Sequence, residues 1–588
     1  MKEKKQIRRS YWQIVWQQYS RHKIGILALL IFFCFFLIAI YAPFLASSQP
    51  IFISYDGNWY FPLLRHLFYP GFFSKRLDIF YNLLMFTLPL AVIYGKISSK
   101  WIQSLIGFTI FQFTIFSALV FWPPKDPGSD PSLNQARHTR ISASYPKDNQ
   151  DPLLAPLPEA IDWNFDLEYM NEYAKLEELI AYTLNQKQNN RLKRYQELYA
   201  EEAERLWLSG QKRKLKNFGK DPEESKIALL NSLSKEEHYR IIRMPTLWET
   251  ERENERDEIR RQEVIQNKLK EKYLNAIDLY EKDLELYRSL SGLDRDKNAL
   301  RGRVARHRYI ITQYQSAVAK ERYIKQKQAW LESESQKIGH LIMPLIRHFH
   351  WEDDAGGEQS VNQYVDWWEL TRSNRKDLVA ALIFGTRISL VVGVAAVALS
   401  LLIGIPIGAI AGYYGGKTDI VISRILEVWE GMPVLFMLLL VTAILQSKSI
   451  FLVIFVIGVF GWTGISRYVR GEFLKQRNLP YIDACRAMGF SDSRIIFSHA
   501  LPNAIPPLLT LLPFAIMGAI TSEAGLSFLG LGEEGSCSWG VLMDEGRAAF
   551  PGESYLLWPP AILLSVLLIS VALVGDALRD ALDPKMRR

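Results

Sequence analysis

Long apolar runs alternate along the chain with densely charged stretches, and the length of each run decides how it is read. Ile24 to Leu45 is an apolar run of about 22 residues, which at 1.5 Å per residue covers the roughly 30 Å hydrocarbon core of a bilayer. Comparable runs recur at about 77 to 95, 101 to 122, 388 to 411, 425 to 446, 450 to 466, 505 to 522 and 556 to 575, so the pattern predicts eight membrane-spanning helices. The first run follows a basic N-terminal segment, residues 1–23, as a secretory signal does. It is too long for one, and no small-residue cleavage site follows the turn at Pro43, so it is predicted to be an uncleaved span.

Between these runs the character of the chain changes. Residues 46–122 are predicted to form an outer loop and an additional hydrophobic hairpin, and residues 123–376 a mainly helical soluble block. That block opens with a Pro-rich, aperiodic stretch over 123–160, which predicts an extended linker. Apolar positions then recur at helical spacing in Leu269, Tyr273, Ile277, Tyr280, Leu284 and Tyr287. After Ser291 and Gly292 the rhythm returns in Leu300, Val304, His307, Ile311, Tyr314 and Val318. Two such stripes joined by a short break predict an antiparallel helical hairpin, either part of a small bundle or a coiled coil.

Charge orients the spans. Lys2, Lys4, Lys5, Arg8, Arg9, Arg21 and Lys23 place the N-terminus in the cytoplasm. With eight crossings, Lys417 and Arg424, then Arg467, Arg470, Lys475 and Arg477, and finally Lys585, Arg587 and Arg588 all fall on the same side. The acidic loop at 533–555, with Glu533, Glu534, Asp544, Glu545 and Glu553 against Arg547, falls outside together with the soluble block. A mean hydropathy of −0.02 is thus the average of two unlike populations. The net charge of +8 lies largely beside hydrophobic segments and no recognition motif accompanies it, so no nucleic-acid partner is expected. The three cysteines, Cys34, Cys485 and Cys537, stand far apart, which indicates neither a disulfide framework nor a metal cluster.

Candidate chemistry is sparse. AGYYGGKT at 411–418 ends like a phosphate-binding loop, but Ala411 occupies the position of the first required Gly and a membrane helix precedes it, so ATP is expected to bind elsewhere. His340, His348 and His350, with Glu352, Asp353 and Asp354, are metal-ligand types that lack an i, i+4 His pair or a Cys partner, and no metal or other cofactor is assigned. Glu430, at the inner end of a span, and Glu523, deeper in another, are the candidates for a translocation path, with headgroup-region or structural roles as the alternatives. No catalytic constellation is present, so the chain is not expected to be an enzyme.

The remaining signal is YIDACRAMGFSDSRIIFSHALPN at 481–503, a charged segment between two apolar runs. Tyr481, Ile482, Ala484, Cys485 and Met488 predict a short helix that ends at Gly489. Ser491 is placed to cap a second helix, which Pro502 should stop at Leu501. Asp483, Ala484 and Cys485, then after three intervening residues Gly489, then after nine more His499, Ala500, Leu501 and Pro502, resemble the cytoplasmic coupling loop of ABC importer permeases. Asp stands there for the family's Glu, Cys for its second Ala, and His for its Ile. His before Leu-Pro-Asn is similar to the dipeptide, oligopeptide and nickel branch. FGTRISLVVG (384–393), GYYGG (412–416), EAGLSFLGLG (523–532), SWG (538–540), GDALRDALDP (575–584) and the first span resemble the same branch.

The resemblance implies an all-α polytopic inner-membrane protein: a type I-like permease core in residues 24–45 and 377–588, carrying a large insertion after the first span. It implies a coupling loop of Tyr481, Asp483, Ala484, Cys485, Arg486, Gly489, His499, Leu501 and Pro502. It also implies partners: a second permease, two cytoplasmic ATP-binding subunits, a periplasmic solute-binding protein and membrane lipid. Import of short peptides is the function expected. The alternatives are import of nickel or another small solute by the same mechanism, or a membrane-anchored structural or sensing role carried by the insertion.

Overall fold

A computed structural model describes residues 11–47, 49–69, 76–97, 101–143, 145, 151–183, 186, 247–290, 295–346, 372–373, 376–445, 448–533, 536–548 and 557–582. The chain divides into two compact units, one made of Met1–Ser48, Ser74–Val120 and Pro344–Arg588, the other of Gln49–Phe73 and Phe121–Met343. The hydrophobic hairpin therefore belongs with the C-terminal part of the chain, and residues 49–73 belong with the block predicted to begin at 123.

In the first unit the longest helix, Leu378–Tyr414, packs along Ile450–Gln476. The contact is set by three glycines one turn apart. A Cβ on Gly404, Gly408 or Gly412 would lie 2.7, 2.4 or 2.6 Å from the carbonyl oxygen of Trp462, Ser466 or Arg470, so only hydrogen at these positions lets the two backbones approach. Ser400 adds a hydrogen bond to the Gly458 carbonyl at 2.8 Å. The long helix has 37 residues, about 55 Å, and overruns the 388–411 expectation at both ends: the apolar Leu378–Phe384 precede Arg387 in the same helix, and Gly412–Tyr414 prolong it. It holds Pro406 in its interior. Ile450–Gln476 likewise continues well past residue 466, keeping Arg467, Arg470 and Lys475 helical.

Among the described residues, six helices are long and apolar enough to cross a membrane, and Ile106–Phe121 and Phe436–Leu445 are shorter apolar helices. The expected span at 425–446 is corrected: it breaks into Gly416–Glu430 and Val434–Leu445. Pro433 lies at the break; it lacks an N–H and its ring would collide with a carbonyl of the preceding turn. Twelve residues reach only about 18 Å. The hydrophobic hairpin, Arg76–Ile97 and Trp101–Phe121, is held by buried polar groups: Thr87 Oγ1 donates to Gln112 Oε1 at 2.6 Å, and Gln112 Nε2 donates to the Phe80 carbonyl at 3.1 Å.

The second unit contains the expected antiparallel hairpin, as helices of 43 and 41 residues, Leu247–Ser289 and Arg295–Ser335. Its buried seam is Ala276, Tyr280, Tyr287, Leu300, Val304 and Ile311, with Tyr273 stacked on Tyr314. Ile277, expected in the stripe, is 39 % exposed; the seam passes one residue earlier, at Ala276, where a small side chain permits closer approach. The Pro-rich stretch is not a free linker throughout. Pro131–Ser142 is helical, and Leu153 and Leu157 pack on the seam. Arg308 donates to the carbonyls of Ala155 and Pro156, and the Tyr287 hydroxyl donates to Asp151, holding that carboxyl below its usual range.

A small antiparallel sheet, unforeseen in the sequence, pairs Phe52–Tyr55 with Asn58–Tyr60 and with Ile338–Ile342. Its hairpin turns on Asp56 and Gly57, both at positive φ, the Asp-Gly pairing favoured in two-residue hairpin turns.

Candidate functional site

The 481–503 segment folds as two short helical pieces around a glycine. Pro480–Ala487 is the first. It ends where the Gly489 N–H reaches the Arg486 carbonyl at 2.9 Å and the Phe490 N–H reaches the Cys485 carbonyl at 3.1 Å, a double closure that requires a left-handed residue. Gly489 supplies it, with φ +76°. Ser491 then holds the N-cap position, through its backbone carbonyl and not its side chain.

The second helix does not stop at Leu501. Helical backbone runs from 492 to 509, with a π-turn at Ile495–Ala500 leading into Leu501–Leu509. In that turn the Leu501 N–H bonds to the Ile496 carbonyl, five residues back. The widened ladder accommodates Pro502, which has no N–H to contribute.

The first helix is sharply two-faced. Ile482 and Cys485 are buried in a cluster with Tyr413, Val469, Phe473 and Ile495. Asp483, Ala484, Arg486 and Met488 face outward, Met488 62 % exposed. The apolar and small positions of this segment are thus divided: Cys485 anchors the helix to its own chain, while Ala484 and Met488 are free to meet something else. Tyr481 donates to Gln476 Oε1 at 2.6 Å, and Leu501 packs on the buried cluster while Pro502 is exposed. His499 stacks on Phe490 with ring centroids 5.5 Å apart, and Arg494 lies over the same Phe490 ring.

Two separate motifs meet here, which spacing alone did not reveal. Asp492 accepts from the Tyr413 hydroxyl at 2.8 Å and the Tyr414 hydroxyl at 3.2 Å, and Arg486 sits over the Tyr413 ring. GYYGG is therefore the mount of the charged segment. Beside it, Asp419 takes two hydrogen bonds from Arg470, which hold its carboxyl below the usual range.

A cavity of about 300 Å³ opens among the helices of this unit, lined by Ser400, Val434, Phe460, Ala515, Gly518 and Ser522 among others. Both serine hydroxyls donate to backbone carbonyls, of Gly458 and Gly518, so they offer acceptor lone pairs to the space. Neither candidate carboxylate lines it. Glu430 pairs with Arg467. Glu523 is fully buried one residue beyond the lining Ser522, and its Oε1 accepts from Ser527 at 2.7 Å and Ser538 at 2.6 Å. That joins EAGLSFLGLG to SWG, with Gly540 close against the Ala524 carbonyl. Glu523→Gln preserves an oxygen for both hydroxyls and is expected to leave the melting temperature of the purified chain close to wild type. Glu523→Leu strands both and should destabilise by about 2 kcal/mol or more.

His340 lies on the Ile338–Ile342 strand; residues 347–354, which hold the other candidate metal ligands, lie outside the described residues. Among the described residues no group of three or more His, Cys, Asp or Glu is placed to hold a metal ion.

Among the described residues, six long apolar helices, one of which carries the two-faced charged segment at its Tyr414 end, define a polytopic membrane protein. The family described as binding-protein-dependent transport system inner membrane component matches residues 404–588, and the N-terminal transmembrane domain of oligopeptide transport permease C matches residues 10–62. An oligopeptide transport system permease protein, OppC, of Haemophilus influenzae is 36 % identical over 249 residues, 42 % of this chain and 80 % of that protein. The inner membrane ABC transporter permease protein YejE of Escherichia coli is 41 % identical over 37 % of this chain, and the peptidoglycan transport system permease protein YejE of Agrobacterium fabrum 39 % over 37 %. This chain spans 63 % and 57 % of the length of those two proteins. A solved methionine ABC transporter, MetNI, overlays on 34 % of this chain with a TM-score of 0.30 and 19 % identity. The chain belongs to the ABC importer permeases of the oligopeptide and dipeptide transport branch.

Proposed function

We propose that this chain is the permease subunit of a binding-protein-dependent importer that carries di- and oligopeptides across the inner membrane. A second permease, two cytoplasmic ATP-binding subunits and an external solute-binding protein complete the machine. The observation that carries this reading is the division of Pro480–Ala487 into a face sunk in its own chain and an outward face of Asp483, Ala484, Arg486 and Met488. Such a surface suits a cleft on a separate ATPase: small side chains allow close approach, and the two charges fix register. Closure of the ATPases on ATP then moves the helices by rigid-body displacement. In this reading the segment lies in the cytoplasm, with both termini, and the unit of residues 49–73 and 121–343 faces the periplasm.

The uncharged, small-residue lining of the cavity suits substrates of varied side chain. A peptide-bearing cell-wall fragment is the second reading, favoured by the Agrobacterium relative's name; the ligand retained by the purified binding protein separates the two. The test is isolation of the tagged full-length chain from native membranes, with partners identified by mass spectrometry. The reading expects two ATP-binding subunits and a second permease. Their absence, with the chain intact and extracted, would remove it.

A further inference from the structure

Arg387, in the FGTRISLVVG stretch, is a charged residue with no exposure at all, in a helix read as a membrane span. A buried guanidinium persists only where each of its five N–H groups finds an acceptor and its charge finds a counter-ion. Here the set is complete. Nε donates to the Ala39 carbonyl at 2.7 Å, Nη1 to Asp78 Oδ1 at 2.7 Å and the Asp78 carbonyl at 3.5 Å, and Nη2 to Asn82 Oδ1 at 2.8 Å and the Ile40 carbonyl at 3.3 Å. The Ala39 and Ile40 carbonyls are free because they end the first span, Lys23–Ile40. Asp78 and Asn82, four residues apart, share one face of Arg76–Ile97, and Tyr81 between them returns a hydrogen bond to the Arg387 carbonyl at 3.2 Å.

The source of the counter-ion is the informative point. Arg76–Ile97, like Arg387 itself, lies outside the two family matches, which cover residues 10–62 and 404–588, and it belongs to the additional hydrophobic hairpin inserted after the first span. We propose that this hairpin is a fixed part of the permease core, with Asp78 as the required counter-ion of Arg387 and Asn82 as a positioning residue, so that the core of this chain assembles only around its own additional segment. The hairpin is then not an accessory that could be removed with the soluble block.

The test uses the full-length chain. Asp78→Leu is expected to lower the amount of folded chain recovered from membranes at least tenfold, and Asn82→Ala to lower it by less. Because Asp78→Leu could misfold for reasons unrelated to Arg387, the deciding variant is the double change Asp78→Leu with Arg387→Met. It removes both charges and should recover at least a third of the wild-type amount, well above either single variant. Asp78→Leu at wild-type abundance and melting temperature would overturn the proposal. So would a double variant no better than Asp78→Leu alone, since the loss would then not come from an unpaired guanidinium.

Discussion

Gly408→Leu is expected to abolish accumulation of the chain in the membrane. The first added carbon would stand 2.4 Å from the Ser466 carbonyl oxygen, and backbone, unlike the tip of a flexible side chain, has no rotamer by which to withdraw. The helices Leu378–Tyr414 and Ile450–Gln476 would have to part along their length, giving up the adjacent contacts at Gly404 and Gly412. Overpacking a fitted interior costs about 1–3 kcal/mol, and a helix pair forced apart at its central contact should stand at or beyond the upper end. Leu402, 73 % exposed on the same helix, supplies the control: Leu402→Ala should accumulate and melt as wild type. A normal level of Gly408→Leu in membranes would show that the two helices do not need their close approach.

The second large effect separates neighbouring residues. Ala484→Trp places an indole on the outward face of Pro480–Ala487, and Cys485→Trp forces one into the buried cluster. The first is expected to leave the chain abundant while uptake falls more than tenfold and the ATP-binding subunits proposed to dock there no longer co-purify; overpacking a fitted contact costs about 1–3 kcal/mol. The second should lose the chain itself. Quantifying chain, co-purified ATPase and peptide uptake in parallel distinguishes the two, and equal behaviour of the two variants would refute the division of the faces.

Much of this was visible in the letters of the sequence, and what was not has physical causes. The spacing from Asp483 to Gly489 to Pro502 located the short helix and the glycine turn that ends it, because both are local. Which side of the helix would be buried was less evident: Ile482, Ala484, Cys485 and Met488 are all apolar or small, and only the packing of Cys485 against Phe473 and its neighbours sorts them. The Gly404, Gly408, Gly412 repeat was present within an expected span, yet its meaning depends on the carbonyls opposite, which belong to a helix some 60 residues away. Arg387 and Asp78 stand 309 positions apart, beyond any periodicity. Two further signals are legible in the sequence: Asp56-Gly57 as a hairpin turn, and Gly431-Met432-Pro433 as a break within the 425–446 run. Pro502 misled in the opposite sense, because a π-turn removes the demand that a regular helix would have placed on its nitrogen.

The mounting of Asp492 on Tyr413 and Tyr414 has a mechanical consequence. A force applied at the two-faced segment is delivered through those hydroxyls to the end of a helix about 55 Å long, whose opposite end packs Gly385 against the Cys537 carbonyl. A continuous hydrogen-bonded rod carries displacement with little loss, and proline is where such a rod yields. Under the proposed function that helix would carry the stroke along its length and bend most readily at Pro406, eight residues from its Tyr414 end.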